Sequence, residues 1–281
     1  MNRLFLIIIT AVAAISACAQ RPVRFNNEKT DTTAITGILI KLDNIDKSTP
    51  QRLVAEAARM LVGKPYQAGT LEQEPEMTTV NIDAFDCTTF VETCLAMALT
   101  VESRRSSWHD FVYNLERIRY RGGNADGYPS RLHYISDWIV DNSHRGILQE
   151  VTDRIGHADY TVKTLDFMSG HRDAYKALKD SANFAGIKNV EVGYRSHRFP
   201  IIKPQNLKSA DIREGDIIAI ATTTKGLDVT HIGIAVILDG VPHLIHASSK
   251  AGKVIEDPVS LQEYLRKNRQ ASGIRVIRIK D

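Results

Sequence analysis

The spacing of apolar positions changes character along the chain. Leu4 to Ile15 form an apolar run behind Arg3 and ahead of small residues, short of the roughly 18 to 20 residues a spanning helix needs, so it reads as a secretory signal. Helical spacing begins at Thr49-Pro50, where QRLVAEAARMLVG predicts a capped helix ending at Gly63, ahead of Lys64-Pro65-Tyr66. A second helix starts behind Asp86 as N-cap, with apolar positions at 87, 90/91, 94/95 and 98. Residues 105 to 120 and 130 to 142 predict two more, the latter with Leu132, Ile135, Trp138 and Ile139 on one side. The stretch from 165 to 180 reads as helical and 185 to 205 as irregular. Beyond that the period shortens: 216–222, 229–238, 244–248, a piece around Val254 and 274–279 predict strands of a meander, with a helix near 259–267. Helices first and an antiparallel sheet afterwards make an α+β domain.

Composition agrees with a globular chain: 281 residues, 43% hydrophobic and 25% charged. Lys and Arg exceed Asp and Glu by 36 − 33 = 3, without a dense basic run, which argues against a nucleic-acid partner. The N-terminal address is more informative. Ile15-Ser16-Ala17-Cys18 resembles a bacterial lipobox, where cleavage precedes Cys18 and a lipid is attached to its thiol; ordinary cleavage after Ala19 is the alternative. Both export the protein. The expected organisation is a signal peptide at 1–17, a lipidated polar tether at 18–33 and one catalytic domain at 34–281, giving a periplasmic, membrane-anchored lipoprotein.

If Cys18 is lipidated or removed, Cys87 and Cys94 remain. Seven helical residues separate them by roughly 10 Å along the axis, beyond the about 7 Å Cα limit of a disulfide. Both are therefore expected as free thiols. Cys94 falls on the apolar stripe and reads as packing. Cys87 sits in the first turn, where unpaired N–H groups and the helix dipole favour a thiolate of depressed pKa; it is either a nucleophile or a buried Cys opening a core helix.

A histidine hairpin bears on that choice. In Thr230 to Leu238, His231, Gly233 and Ala235 share one face; Asp239-Gly240 is a strong turn signal; Val241 to Ser249 returns. With a two-residue loop Leu238 faces Val241, Gly233 faces His246 and His231 faces Ser248, so His231 and His246 share a face roughly 7 Å apart or less. His243 points to the opposite face. A thiol, a base and an orienting residue are the parts of a cysteine hydrolase site.

These residues resemble the NlpC-like cell-wall hydrolases, a papain-related superfamily acting on bacterial peptidoglycan. The resemblance is carried by Gly63-Lys64-Pro65-Tyr66, Phe85-Asp86-Cys87-Thr88-Thr89-Phe90-Val91, Glu214-Gly215-Asp216-Ile217-Ile218, His231-Ile232-Gly233-Ile234 and Ile245-His246-Ala247-Ser248-Ser249. It implies a papain-like core with a helical part packed on an antiparallel sheet, Cys87 as nucleophile, His231 as base and acid, and His246 as the third residue. It also implies that Tyr66 and the Cys87 N–H bind the oxyanion, and Asp86 and Thr88 are grouped with them as oxyanion or substrate-binding residues. Thr88 replaces the usual Ser, and 231 − 87 = 144 positions leave room for a helical insertion at about 100–210. The segment Tyr128 to Ile139 resembles a branch of N-acetylmuramoyl-L-alanine amidases favouring anhydromuramoyl-peptides, with Arg131, Tyr134 and Trp138 expected to line a sugar pocket. Cleavage of γ-D-glutamyl bonds in stem peptides is the close alternative.

Two further classes compete. A zinc amidase could use His231, His246 and an acid such as Asp228, although no HExxH-like helix is present. A muropeptide-binding lipoprotein would need no paired thiol. The expectation is an enzyme without metal or cofactor, whose partners are muropeptide or peptidoglycan and a membrane lipid.

Overall fold

The computed structural model describes residues 22–45 and 49–280. The expected signal, the lipobox and Cys18 lie outside them. In chain order the regular elements are β1 (Arg24–Phe25), α1 (Glu28–Asp43), α2 (Pro50–Met60), β2 (Thr79–Val80), α3 (Cys87–Glu102), α4 (Trp108–Arg119), α5 (Ile135–His144), β3 (Leu148–Glu150), β4 (Asp159–Val162), α6 (Phe167–Gly170), α7 (Ser181–Gly193), β5 (Arg198–Ile201), β6 (Ile217–Thr222), β7 (Val229–Leu238), β8 (Val241–Ser248), β9 (Lys253–Glu256), α8 (Leu261–Lys267) and β10 (Ala271–Ile279).

The centre is a six-stranded sheet ordered β3-β10-β6-β7-β8-β9, every neighbouring pair antiparallel. Alternation along its strands sends side chains to two cores. Ile232, Ile234, Val236 and Ile245 face α1 to α4, where Leu39, Leu53, Phe90, Cys94 and Leu95 complete the larger core. Ile218, Ile220, Ala235 and Leu244 face the other way, against Leu261 and Leu265 of α8 and Ile202, Leu207 and Ile212. The α+β architecture expected from the sequence is the one observed. Between α4 and β6 the insertion builds a small core of its own from Tyr128, Tyr134, Leu165, Met168, Leu178 and Ile187.

Three stretches differ from expectation. The tether expected to reach residue 33 is ordered well before that: Arg24 and Phe25 pair in parallel with Thr79 and Val80, Phe25 packs edge-on to Trp108 at 5.7 Å, and the Asn27 side chain caps α1. The polar start of α1 hid it, because its buried apolar residues begin only at Ile35. Residues 185–205 hold most of α7 and all of β5, whose partner β4 lies far back in sequence. Residues 165–180 form the single turn α6 and short 3₁₀ turns rather than one helix.

Candidate active site

Helix α3 starts at Cys87 because a reciprocal capping box fixes its first turn. Asp86 Oδ1 accepts from the Thr89 N–H at 2.8 Å, and Thr89 Oγ1 accepts from the Asp86 N–H at 3.0 Å. Asp86, grouped by sequence with the substrate-binding residues, is thus occupied as a cap. Tyr66 reaches the same place by a different route. Its N–H donates to Gly252 O at 2.9 Å just ahead of β9, and Phe85 N–H donates to Pro65 O at 3.0 Å, so Tyr66 is clamped between the sheet edge and the approach to α3. Burial, then the neighbouring Cys87 and Asp86, push its hydroxyl pKa up.

The hairpin has the expected register. Leu238 pairs with Val241 and the ladder runs to Ile234 opposite Ile245. Beyond that rung the backbone of Ile232, next to His231, comes close enough to Cys87 to favour its anion. Gly233 is needed there: a Cβ on it would stand 3.0 Å from His246 Cβ and 3.1 Å from Ile245 O. His231 Nε2 lies 2.7 Å from His246 Nδ1, and His246 Nε2 lies 3.2 Å from Asp257 Oδ2. Asp257 Oδ1 accepts from the Val259 N–H at 3.0 Å.

This chain fixes the tautomers. A carboxylate only accepts, so His246 carries its proton on Nε2; its bare Nδ1 accepts from His231 Nε2–H, and His231 Nδ1 keeps a lone pair for a proton. Tyr264 of α8 stacks on His231 with centroids 6.2 Å apart and meets His246 edge-on at 5.5 Å. His231, His246, Asp257, Tyr264 and the Ser248–Ala251 turn line a cleft of about 660 Å³.

The electrostatics correct one expectation. The helix terminus does not leave Cys87 as a ready thiolate: burial, then the Asp86 charge, push the thiol up to about 11, against the Ile232 backbone and the Thr88 hydroxyl, which favour the anion. Burial, followed by His246, takes His231 down to about 3. Burial therefore favours the neutral form of both the Cys87 thiol and the His231 imidazole. Cys94 is fully buried in the larger core, and burial raises its thiol well above the ordinary range.

Three residues expected around a sugar pocket are elsewhere. Arg131 Nη2 donates to Glu72 Oε1 at 2.8 Å, its Nε lies 3.4 Å from Glu76 Oε1, and its guanidinium lies over the Tyr128 ring. Tyr134 is buried, donating to Glu191 Oε1 and accepting from the Met168 N–H, both at 2.9 Å. Trp138 is buried in the larger core. Arg131 is thus tied to the loop ahead of α3, Tyr134 to α7 and Trp138 to the larger core, and none of the three lines the cleft. Asp228, the acid named for a zinc site, is held by the Ser136 N–H at 2.6 Å. Among the described residues no three His, Cys, Asp or Glu side chains cluster as metal ligands. Sequence reasoning missed Asp257 and Tyr264. Asp257 sits in an ordinary Asp-Pro turn and Tyr264 in a short amphipathic helix, so neither stood out.

Solved structures share this arrangement of elements. An N-acetylmuramoyl-L-alanine amidase from Bacteroides uniformis is 39% identical, with 83% of this chain and 99% of that one covered and a TM-score of 0.79. A Bacteroides fragilis protein described as a candidate xylanase is 41% identical over 80% of this chain and 100% of its own, with a TM-score of 0.76. A Legionella pneumophila protein, 22% identical over 90% and 96% of the two chains with a TM-score of 0.69, shares the fold. No curated protein matches the chain. Residues 56–274 match the AmiA-like, N-acetylmuramoyl-L-alanine amidase-like family, and the chain belongs to that family.

Proposed function

We propose that the protein is a cysteine-dependent N-acetylmuramoyl-L-alanine amidase of the NlpC-like, papain-related kind, cutting the amide between the lactyl carbonyl of (anhydro)muramic acid and L-Ala. The observation that carries this reading is the hydrogen-bonded series His231, His246, Asp257 on the strands whose Ile232 backbone, next to His231, approaches a thiol at a helix N-terminus. As Cys87 Sγ attacks the carbonyl, His231 Nδ1 takes the thiol proton, so no charge separation precedes bond formation. The new imidazolium is stabilised through His246 by Asp257. The Cys87 N–H and the Tyr66 hydroxyl are the donors for the oxyanion; one such donor is worth about 10² to 10³ in kcat. Collapse breaks the C–N bond, His231 returns the proton to the L-Ala nitrogen, and water, activated by His231, hydrolyses the muramoyl thioester.

The described residues lining the cleft argue against glycoside hydrolysis, which uses two carboxylates about 5 to 9.5 Å apart. The carboxylate there is Asp257, already held by His246 and Val259. The same thiol could serve a γ-D-glutamyl endopeptidase, and products separate the two: anhydromuramoyl-tripeptide should give free sugar acid plus intact tripeptide by mass spectrometry. Release of L-alanyl-γ-D-glutamate would assign the endopeptidase instead. For location, the reading is a periplasmic lipoprotein acylated on Cys18; palmitate labelling absent from the wild type, or retained in Cys18→Ala, would refute it.

A further inference from the structure

The cleft beside His231 is asymmetric in charge. On the thiol side stands the carboxylate of Asp86, the N-cap of α3 directly ahead of Cys87. On the cleft side the charged lining residues are Lys250, Asp257 and Lys267. Asp257 is used internally by His246 and Val259. Lys267 already holds Glu263 at 2.8 Å, four residues back on α8. Lys250, exposed on the turn between β8 and β9, has no ion-pair partner among the described residues. It stands beside the hydroxyl-bearing Ser249 at the end of the strand that carries His246.

A muramoyl-peptide is asymmetric in the same sense. Its anhydrosugar and lactyl groups are uncharged, because the lactyl carboxyl is spent in the amide, whereas its peptide bears several carboxylates. An anionic arm on the thiol side would meet Asp86; in the cleft it meets Lys250. A volume of about 660 Å³ lies within the range of sites that take ligands of tripeptide size. We propose that this cleft receives the peptide arm of the substrate and that Lys250 is the specificity residue that reads its carboxylates, with Lys267 a minor contributor. The proposal rests on the amidase reading and fixes which side of the scissile bond each half of the substrate occupies.

The test compares anhydromuramoyl-L-Ala-γ-D-Glu-diaminopimelate with the same compound carrying carboxamides in place of its carboxylates. Wild type should show a KM about three- to fivefold lower for the acid, the size expected of a part-exposed ion pair, at nearly equal kcat. Lys250→Gln should erase most of that ratio by raising KM for the acid alone, and Lys267→Gln should change it by less than about twofold. An acid-to-amide ratio that persists in Lys250→Gln overturns the assignment. Binding of the free tripeptide to Cys87→Ala, by calorimetry with and without Lys250→Gln, separates the two claims. If wild type leaves the muramoyl amide uncut while Lys250→Gln still weakens tripeptide binding, the amidase reading falls and the cleft assignment stands. If tripeptide binding ignores Lys250, the assignment falls whatever the turnover.

Discussion

The frame of α3, β7 and β8 and the insertion between α4 and β6 are held together in opposite ways. The frame is mainly apolar, and its buried charge, Glu92 of α3, is held from the margin of the insertion by Arg119 of α4. The insertion and its margins are tied by buried polar and charged pairs far apart in sequence: Arg119 with Glu92, Tyr134 with Glu191, Arg121 and Tyr194 with Asp137, and Arg275 with Glu150 and Ser136. Packing carries the frame, so its reactive end can change without unfolding it. In the insertion the polar groups are themselves the fastening, and removing one leaves its partner buried and unsatisfied.

That contrast can be broken by mutation. The largest effect on rate should come from His231→Ala, a loss of about 10² to 10⁴ in kcat if it is the general base, with the thermal midpoint little changed. His246→Ala and then Asp257→Asn should cost progressively less, since each acts through the ring before it. An equal loss for all three would mean that the series does not transmit orientation. The largest effect on stability should come from Arg119→Ala, which strands the Glu92 carboxylate, 2% exposed, and should cost about 3 to 5 kcal/mol by denaturant unfolding. A chain beginning at Asn26 loses the Phe25 contact with Trp108 and the Arg24 bond to Pro75 O, and should unfold about 1.5 to 3 kcal/mol more easily. An unchanged midpoint would mean that β1 is ornamental.

The two thiols of α3 sharpen the comparison within one helix. With Cys87 pushed up to about 11, the thiolate is scarce at neutral pH, and alkylation by iodoacetamide should rise about tenfold per pH unit through the neutral range. Cys94, fully buried, should stay unmodified in the folded protein. A rate at Cys87 already level near neutrality would restore the preformed thiolate that its place at a helix terminus suggests.

The same contrast explains what could be read in advance. The hairpin register, and with it the meeting of His231 and His246, followed from period-two alternation and one Asp-Gly turn, which are local. The start of α3 followed from Asp86. By contrast, Arg131, Tyr134 and Trp138 have the composition of a sugar pocket, and only the long-range partners Glu72 and Glu191 and the depth of the core decide otherwise. Asp257 becomes meaningful only when β9 lies beside β8. The depression expected of the Cys87 pKa came from the unpaired N–H groups and dipole of the helix start; burial outweighs them, and burial is a tertiary fact.

The most direct test of the central claim is the covalent intermediate. Wild-type protein mixed with anhydromuramoyl-tripeptide, quenched in acid and digested, should show the muramoyl acyl group as a thioester on the Cys87 peptide, with free tripeptide released in the same burst. Turnover without that adduct, surviving in Cys87→Ala and abolished by EDTA, would contradict it.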